Sequence, residues 1–367
     1  MTTGLLELRH VDDPFVRRSI EVLKEGQAPS GALIASPSFA VYRYAWLRDG
    51  AFCADALDVA GEARRAAAWH RWVMTSVEAH RSLIADATSR VTAGDTPAHE
   101  SMPPARYTLD GALEQPDGDE AWPNFQVDGY GMWLWALERH LAGTRLPVAA
   151  TDTVALVAAY LEATWRLKCF NCWEEFDGGE HASTLGAAHA GLMSAARLLD
   201  DARWAEAADV VRAELLSRYV VHGRFRRGAN DDRLDGSLVW LGVPFSVLPV
   251  DDPLVVETIE ALRRDLTSPD GGVYRFPGDT YYGGGEWLLL TSSLAWHDAV
   301  AGRRDAADAA QDWVRSRSLA SGDMPEQVSG AALDPAMVEP WVRRWGPVAT
   351  PLLWSHAMYL LAETAPR

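Results

Sequence analysis

The feature that most constrains this chain is an alternation between two kinds of helix. Apolar-periodic stretches recur nearly throughout: PFVRRSIEVLKEG, AFCADALDVAG, ARRAAAWHRWVMTSVEAH, GMWLWALERHLAG, TVALVAAYLEATWRL, TLGAAHAGLMSAARLLD, RWAEAADVVRAELLSRYV, SLVWLGVPFSVL, LVVETIEALRRDL, WLLLTSSLAWHDAVAG, RDAADAAQDWVRSRS and PLLWSHAMYLLAET. The spacing is helical and Gly or Pro falls at most joints, which predicts about twelve helices and no convincing run of strands. Some of these, such as WLLLTSSLAW and GMWLWAL, are apolar nearly all round and must be buried on every side. Others, such as RWAEAADVVRAELL and RDAADAAQDWVRSR, are amphipathic and salt-rich and must face solvent. Inner and outer helices alternating six times over predict an all-α fold, an (α/α)6 barrel of six inner and six outer helices.

The inner helices share a start signal. Asp49-Gly50, Asp128-Gly129 and Asp235-Gly236 each set an acid and a glycine before an apolar run, the pattern of an N-cap. The others follow EEFDGGEHAST, YYGGGEW and GPVATP, and successive starts lie about fifty to eighty residues apart, one helix pair plus loops. A single Asp-Gly is only a good turn, but the series predicts six parallel inner helices whose N-termini gather at one mouth.

Composition limits what that mouth receives. With 51 acids against 34 bases the formal net charge is −17, which argues against nucleic acid or an anionic membrane surface as partner. No stretch offers the roughly 18 apolar residues of a membrane span. The amino terminus MTTGLLELRHVDDPF has neither a basic nor an apolar leader region, so a cytoplasmic location is expected. Three cysteines fit a reducing compartment. Cys169 and Cys172 form a CxxC, but without a βαβ context or a second ligand pair they read as buried thiols. No metal cluster of the usual spacing appears, and neither metal nor cofactor is expected.

Most of the chain's 16 tryptophans are expected in the core, but a surplus of indoles is what a sugar-binding cleft needs for stacking, and the loops feeding the mouth carry Trp and Tyr together with Arg, Asp and Glu. VYRYAWLRDG offers Tyr42, Trp46, Arg48 and Asp49, the last two a donor and acceptor for vicinal hydroxyls or, alternatively, a helix-capping ion pair. WPNFQVDGYG brings Trp122, Asn124, Gln126 and Asp128. NCWEEFDGGE sets Trp173 beside Glu174 and Glu175; in a pocket, an aromatic wall and a like charge would keep one acid protonated near neutrality. GGVYRFPGDTYYGGGEW carries Arg275, Asp279, Tyr281, Tyr282, Glu286 and Trp287, and GDMPEQV and WSHA add Glu326 and Trp354. Such a lining, without a phosphate-cradling loop, suits a neutral polyhydroxylated small molecule such as an oligosaccharide. Residues 85 to 121 read as a long loop over this mouth.

The ordered set YRYAWLRDG, WEE…G…H…ST, GG.YR…DTYYGG..W, MPEQ and PL.WSHA, spread over roughly residues 40 to 360, resembles the glucoamylase family of inverting glycosidases, glycoside hydrolase family 15. The resemblance implies an (α/α)6 catalytic domain, with Glu174 as general acid and Glu326 as general base. It implies that Arg48, Asp49 and Arg275 hold the non-reducing-end glucose, that Tyr42 sits beside the nucleophilic water, and that Glu175 and Trp287 line the next sugar's site. Many bacterial relatives carry a β-sandwich before the barrel and secreted fungal ones a starch-binding module; here a single catalytic domain, 1–367, with neither is expected. Gly285-Glu286 stands where the family commonly has Asn-Pro, placing an extra acid near the leaving-group site or on its rim.

These readings together predict an exo-acting α-glucoside hydrolase releasing β-glucose from short oligosaccharides, leaning to α-1,6 substrates such as isomaltose. The alternatives are a trehalose- or maltooligosaccharide-hydrolysing relative, or an epimerase or phosphorylase on the same barrel. Phosphate would replace the base in a phosphorylase, and an epimerase would want histidines, whereas His181, His189 and His356 read as helix-start or core residues. Oligomeric state is not legible.

Overall fold

The computed structural model describes residues 6–114, 122–175 and 179–366. Its α-helices, in chain order, are α1 (Pro14–Glu25), α2 (Leu47–Val59), α3 (Ala63–Ala79), α4 (Arg81–Thr92), α5 (Asp128–Leu141), α6 (Thr151–Thr164), α7 (Ala182–Leu199), α8 (Arg203–Arg218), α9 (Pro253–Leu266), α10 (Leu288–Val300), α11 (Arg304–Arg317), α12 (Val338–Trp345) and α13 (Leu353–Ala362). Helices α2, α5, α7, α10 and α13, with a 3-10 element at Gly236–Leu241, form a closed inner ring in which each packs on the next and α13 returns to α2. Helices α1, α3, α6, α8, α9 and α11 lie outside it, so the (α/α)6 barrel expected from the helix alternation is the fold.

The two helix types do what their sequences require. Every residue from Leu288 to Ala299 of α10 is buried. In α11 only Ala307, Gln311, Trp313 and Val314 are, a stripe at helical spacing against the ring. Two outer helices start on side-chain caps: Asp13 accepts from the amides of Phe15 and Val16 with Pro14 at the first helical position of α1, and Asp252 accepts from Leu254 ahead of Pro253 of α9. Where α5 and α7 cross, Gly131 and Gly191 let the backbones touch; a Cβ on Gly191 would lie 2.5 Å from Gly131 Cα.

Four local expectations are corrected. SLVWLGVPFSVL, read as an inner helix, is a six-residue 3-10 element, because Pro244 cannot donate to a continuing helix and disfavours helical backbone at Val243. The segment from 85 begins helical, since α4 runs to Thr92 with Ile84 and Ala87 buried against the barrel; residues 115–121 of that expected loop lie outside the described residues. Helix α12 was not among the expected helices; its Pro340 occupies the first turn, where no amide donor is needed. Of the three Asp-Gly starts only Asp235 is an N-cap, accepting from Ser237; Asp49 and Asp128 sit within the first turns of α2 and α5, where acids still meet free amides.

Short antiparallel strands join the loops at the helix N-termini. Ala45–Trp46 pairs with Arg106–Tyr107, and Val273–Tyr274, Glu286–Trp287 and Gln327–Val328 make a three-stranded sheet. That sheet ties the loops of Arg275, Trp287 and Glu326 into one frame.

Candidate active site

Glu326 sits on a loop anchored from beneath by α13. The Met324 amide donates to His356 Nε2 at 3.0 Å, Ser355 Oγ donates to the Pro325 carbonyl at 3.0 Å, and the Leu352 amide donates to the Met324 carbonyl at 3.0 Å. The paired motifs MPEQ and WSHA are thus one structural unit. The carboxylate is buried, accepts from Tyr42 Oη at 3.0 Å through Oε1, and carries Oε2 buried with no hydrogen-bond partner. Burial pushes it up to about 7, against the pull of Tyr42, Arg275 and Tyr281.

Glu174 is presented by a tight turn built on Asn171. The Asn171 side-chain oxygen accepts from the amides of Trp173 (3.1 Å) and Glu175 (2.9 Å), its carbonyl accepts from the Glu174 amide (2.9 Å), and Glu174 takes a φ of +65°. A non-glycine residue in that region is held there by its surroundings. The remaining expected residues of this stretch, Phe176, Asp177 and Gly178, lie outside the described residues.

Glu174 Oε1 gathers three cations or donors: Trp46 Nε1 at 2.5 Å, Gln126 Nε2 at 3.1 Å and Arg48 Nη2 at 3.8 Å. The indole beside this acid is therefore Trp46. Trp173, expected to wall it, instead donates to Asp235 (3.0 and 3.1 Å) and packs on Trp240, Trp287 and Trp354. Glu175, expected to repel Glu174, is paired with Arg275 Nη2 at 3.0 Å and is partly exposed.

The Arg48–Asp49 pair lies between the two glutamates. Arg48 donates to Gln126 Oε1 at 2.5 Å, lies 3.4 Å from Asp49 and 3.6 Å from Asp128, and stands over the Trp354 ring. Burial and Glu174 raise Asp49, and with Arg48 opposing them it reaches about 7; its Oδ2 is buried without a partner. On the opposite wall Arg275 is clamped by Asp279 through Nε (2.7 Å) and Nη2 (2.6 Å) and faces the rings of Trp173, Tyr281 and Trp287. Tyr281 Oη lies 3.0 Å from Tyr42 Oη, and its ring is braced edge-on by Trp341 of α12. Trp122 meets Trp46 and Tyr42 edge-on.

Of the sequence-predicted residues, Tyr42, Trp46, Arg48, Asp49, Trp122, Trp173, Glu174, Glu175, Arg275, Tyr281, Trp287, Glu326 and Trp354 are linked in one cluster by these contacts. Glu286 is not brought to it. Alternation along its strand turns Trp287 toward Trp173 and turns Glu286 the other way, where Ser268 donates to it beside Gly272 and Trp313. Two contributors were not among the expected site residues. Arg106, held by Glu114, stacks under Tyr44 (4.2 Å), Trp46 (4.9 Å) and Trp122 (3.8 Å), and Asn171 builds the Glu174 turn. An Asx turn before WEE was the available hint of the latter. His189 and His356 are core residues with backbone partners, and all three cysteines are buried and free.

A buried carboxyl, Glu326, and a partly buried one, Glu174, in an aromatic and arginine-lined cleft at the N-terminal end of an (α/α)6 barrel are the site of a glycoside hydrolase. The model of the glycosyl hydrolases family 15 matches residues 13–321, and the chain belongs to that family. Isomaltose glucohydrolase of Kribbella flavida is 40% identical over 355 residues, 95% of this chain and 91% of that one. A solved glycosidase variant in complex with glucose is 39% identical, covers 95% of each chain and aligns with a TM-score of 0.88. A bacterial glucoamylase complexed with acarbose aligns with a TM-score of 0.74 at 20% identity over 96% of this chain and 56% of that one, a likeness of fold.

Proposed function

We propose that this chain is an inverting exo-α-glucosidase that hydrolyses isomaltose and short α-1,6-linked glucosides, releasing β-glucose from the non-reducing end. The observation that carries the reading is the pair of carboxyls held differently. Glu326 has one oxygen bonded to Tyr42 and the other unpartnered, and Glu174 has all its hydrogen bonds, among the described residues, on Oε1. Donors gathered on Oε1 leave Oε2 free to face the glycosidic oxygen. In this mechanism Glu174 protonates the glycosidic oxygen as the C1–O bond breaks. Water held by Tyr42 and Glu326 attacks C1 from the other face and gives its proton to Glu326, an arrangement that needs carboxyls about 6.5–9.5 Å apart.

Arg48, Asp49 and Arg275 supply charged donors and an acceptor for the hydroxyls of the terminal glucose, with Trp354 beneath Arg48. Glu175 and Trp287 line the position of the second sugar, and Trp46, Trp122, Trp173 and Tyr281 wall the cleft. The preference for isomaltose rests on the relative that shares nearly the full length of the chain. A cytoplasmic site of action fits the three free thiols. No described helix is long and apolar enough to cross a membrane.

The test is a proton NMR time course with isomaltose, maltose and trehalose in parallel, read before mutarotation, with Glu174→Gln and Glu326→Ala beside the parent. β-Glucose appearing first from isomaltose, with both variants silent, is the expected result. α-Glucose first, or cleavage that requires phosphate, would overturn the assignment of the two carboxyls.

A further inference from the structure

At the end of the barrel away from the mouth, three side chains from three helices converge without a role in the site above. Asp58 lies in the last turn of α2, His140 in the last turn of α5, and His70 in the middle of the outer helix α3. His140 Nδ1 is 3.0 and 2.9 Å from the two Asp58 oxygens, and the His70 and His140 rings stand 4.8 Å apart. One ligand atom from each of the three residues lies within 4.8 Å of the other two.

His70 makes this more than an ion pair. It is 2% exposed, and neither of its ring nitrogens has a hydrogen-bond partner. Two other buried imidazoles are satisfied, His189 by the Ala208 carbonyl and His356 by the Met324 amide and Ser19. An unsatisfied buried polar group costs about 1–3 kcal/mol, so its retention calls for a partner. His297 on α10 shares the deficit, but no pair of further ligand groups gathers about it among the described residues.

We propose that Asp58, His70 and His140 form a divalent transition-metal site, zinc above all, that clips the C-terminal ends of two inner helices to the outer helix α3. Two imidazole nitrogens and one carboxylate oxygen, with water as fourth ligand, make a tetrahedral zinc donor set. Tetrahedral ligands at about 2.1 Å from an ion stand about 3.4 Å from one another, so the three groups draw together by roughly an ångström on binding. Among the described residues, a second carboxylate offsets the one fixed cation nearby, Arg139. Asp55 adds a second carboxylate, one oxygen of which is bonded to Arg139 (2.8 Å) and the other buried without a partner, and the carbonyl ends of α2 and α5 point here. Asp58 and His140 are partly exposed, which gives an ion a way in. Separations of 12 and 70 residues along the chain kept this set from showing as a motif.

The experiment is zinc chloride titrated into chelator-treated protein by calorimetry, with thermal unfolding and the visible absorption of the cobalt(II) form alongside. His140→Asn and Asp58→Asn sit at partly exposed positions, and His70→Gln is the buried counterpart; retained isomaltose turnover certifies that each has folded. The expected result is about one zinc per chain, a melting temperature raised by zinc, tetrahedral cobalt absorption, and at least tenfold weaker binding in His140→Asn and Asp58→Asn. No zinc binding by the parent chain, or equal affinity in parent and variants, would overturn the site.

Discussion

Tyr42 Oη stands 3.0 Å from Glu326 Oε1 and equally 3.0 Å from Tyr281 Oη, so one phenol couples the carboxylate to the far wall of the cleft. Its ring also meets Trp46 edge-on at 5.6 Å, and Trp46 donates to Glu174. The two carboxyls are thereby held in register through a tyrosine and a tryptophan that are four residues apart in sequence.

Tyr42→Phe is expected to lower kcat on isomaltose by about 10–100-fold with little change in KM. A hydrogen bond to a charged group is worth about 1.5–3 kcal/mol, and each 1.4 kcal/mol is tenfold in rate. Tyr281→Phe leaves the Tyr42–Glu326 bond in place and is expected to cost only a few-fold. Steady-state kinetics of the two variants decide it, and equal losses would contradict the coupling described.

The rate should fall on the acid side of neutrality. Glu326 serves as base only when ionised, and burial holds it at about 7, so kcat/KM is expected to decline tenfold per pH unit below that value. Tyr42 favours the ionised form, so Tyr42→Phe moves this limb to higher pH. A profile flat down to pH 5 would rule out Glu326 as the titrating base.

Stability should run the other way. A folded-state value of about 7 against an ordinary 4.5 means the folded chain binds the Glu326 proton more tightly than the unfolded chain. That contribution is fully present below pH 4.5 and is lost as pH rises through 7, a change on the order of 3 kcal/mol. Asp49, also raised to about 7, acts in the same sense. Glu326→Gln is neutral at every pH, so its melting temperature relative to the parent is expected to rise between pH 5 and pH 8. A constant difference across that range would refute the buried, raised carboxyl.

Asn171→Ala removes the acceptor that closes the turn around Glu174 and strands two amides, those of Trp173 and Glu175. The expected loss is about 2 kcal/mol of stability together with a fall in kcat, because only the backbone bonds between Asn171 and Glu174 and between Asn171 and Glu175 would then be left, among the described residues, to hold the left-handed backbone of Glu174. Asn171→Asp keeps the acceptor and should recover most of the stability. Denaturant unfolding and kinetics on the same preparations test both halves.

The sequence was most legible where a pattern repeated. The alternation of apolar and amphipathic helices gave the barrel, because burial on all sides or one leaves different residue spacings. It was least legible where the answer depended on side-chain direction. WEE announces an aromatic wall and paired acids, but the turn at Asn171 sends Trp173 to Asp235 and Glu175 to Arg275, leaving Trp46, from another loop, to hold Glu174. Glu286 faces away from the cleft for a similar reason: a strand shows alternate residues to opposite sides, and two residues are too few to reveal which. Asp58, His70 and His140 meet only through helix packing, which no local spacing records.

Gly131→Ala tests whether the ring tolerates any widening. A methyl group there would fall on the Ala187 carbonyl oxygen of α7, and Gly191 presses on Gly131 from the same helix. The obstacle is backbone and no side chain can rotate away, so α5 and α7 must separate along the crossing. The expected cost is about 1–3 kcal/mol by thermal unfolding, far more than an alanine gains in helix propensity over glycine at an open site. Gly330, which meets nothing within 4 Å at its Cβ position and has no left-handed backbone, supplies the control for space alone. A stabilised Gly131→Ala would mean that the two helices do not approach as closely as described. The paired prediction is that Gly191→Ala is destabilised as well, and that the double variant does not add, because either methyl group alone opens the same crossing.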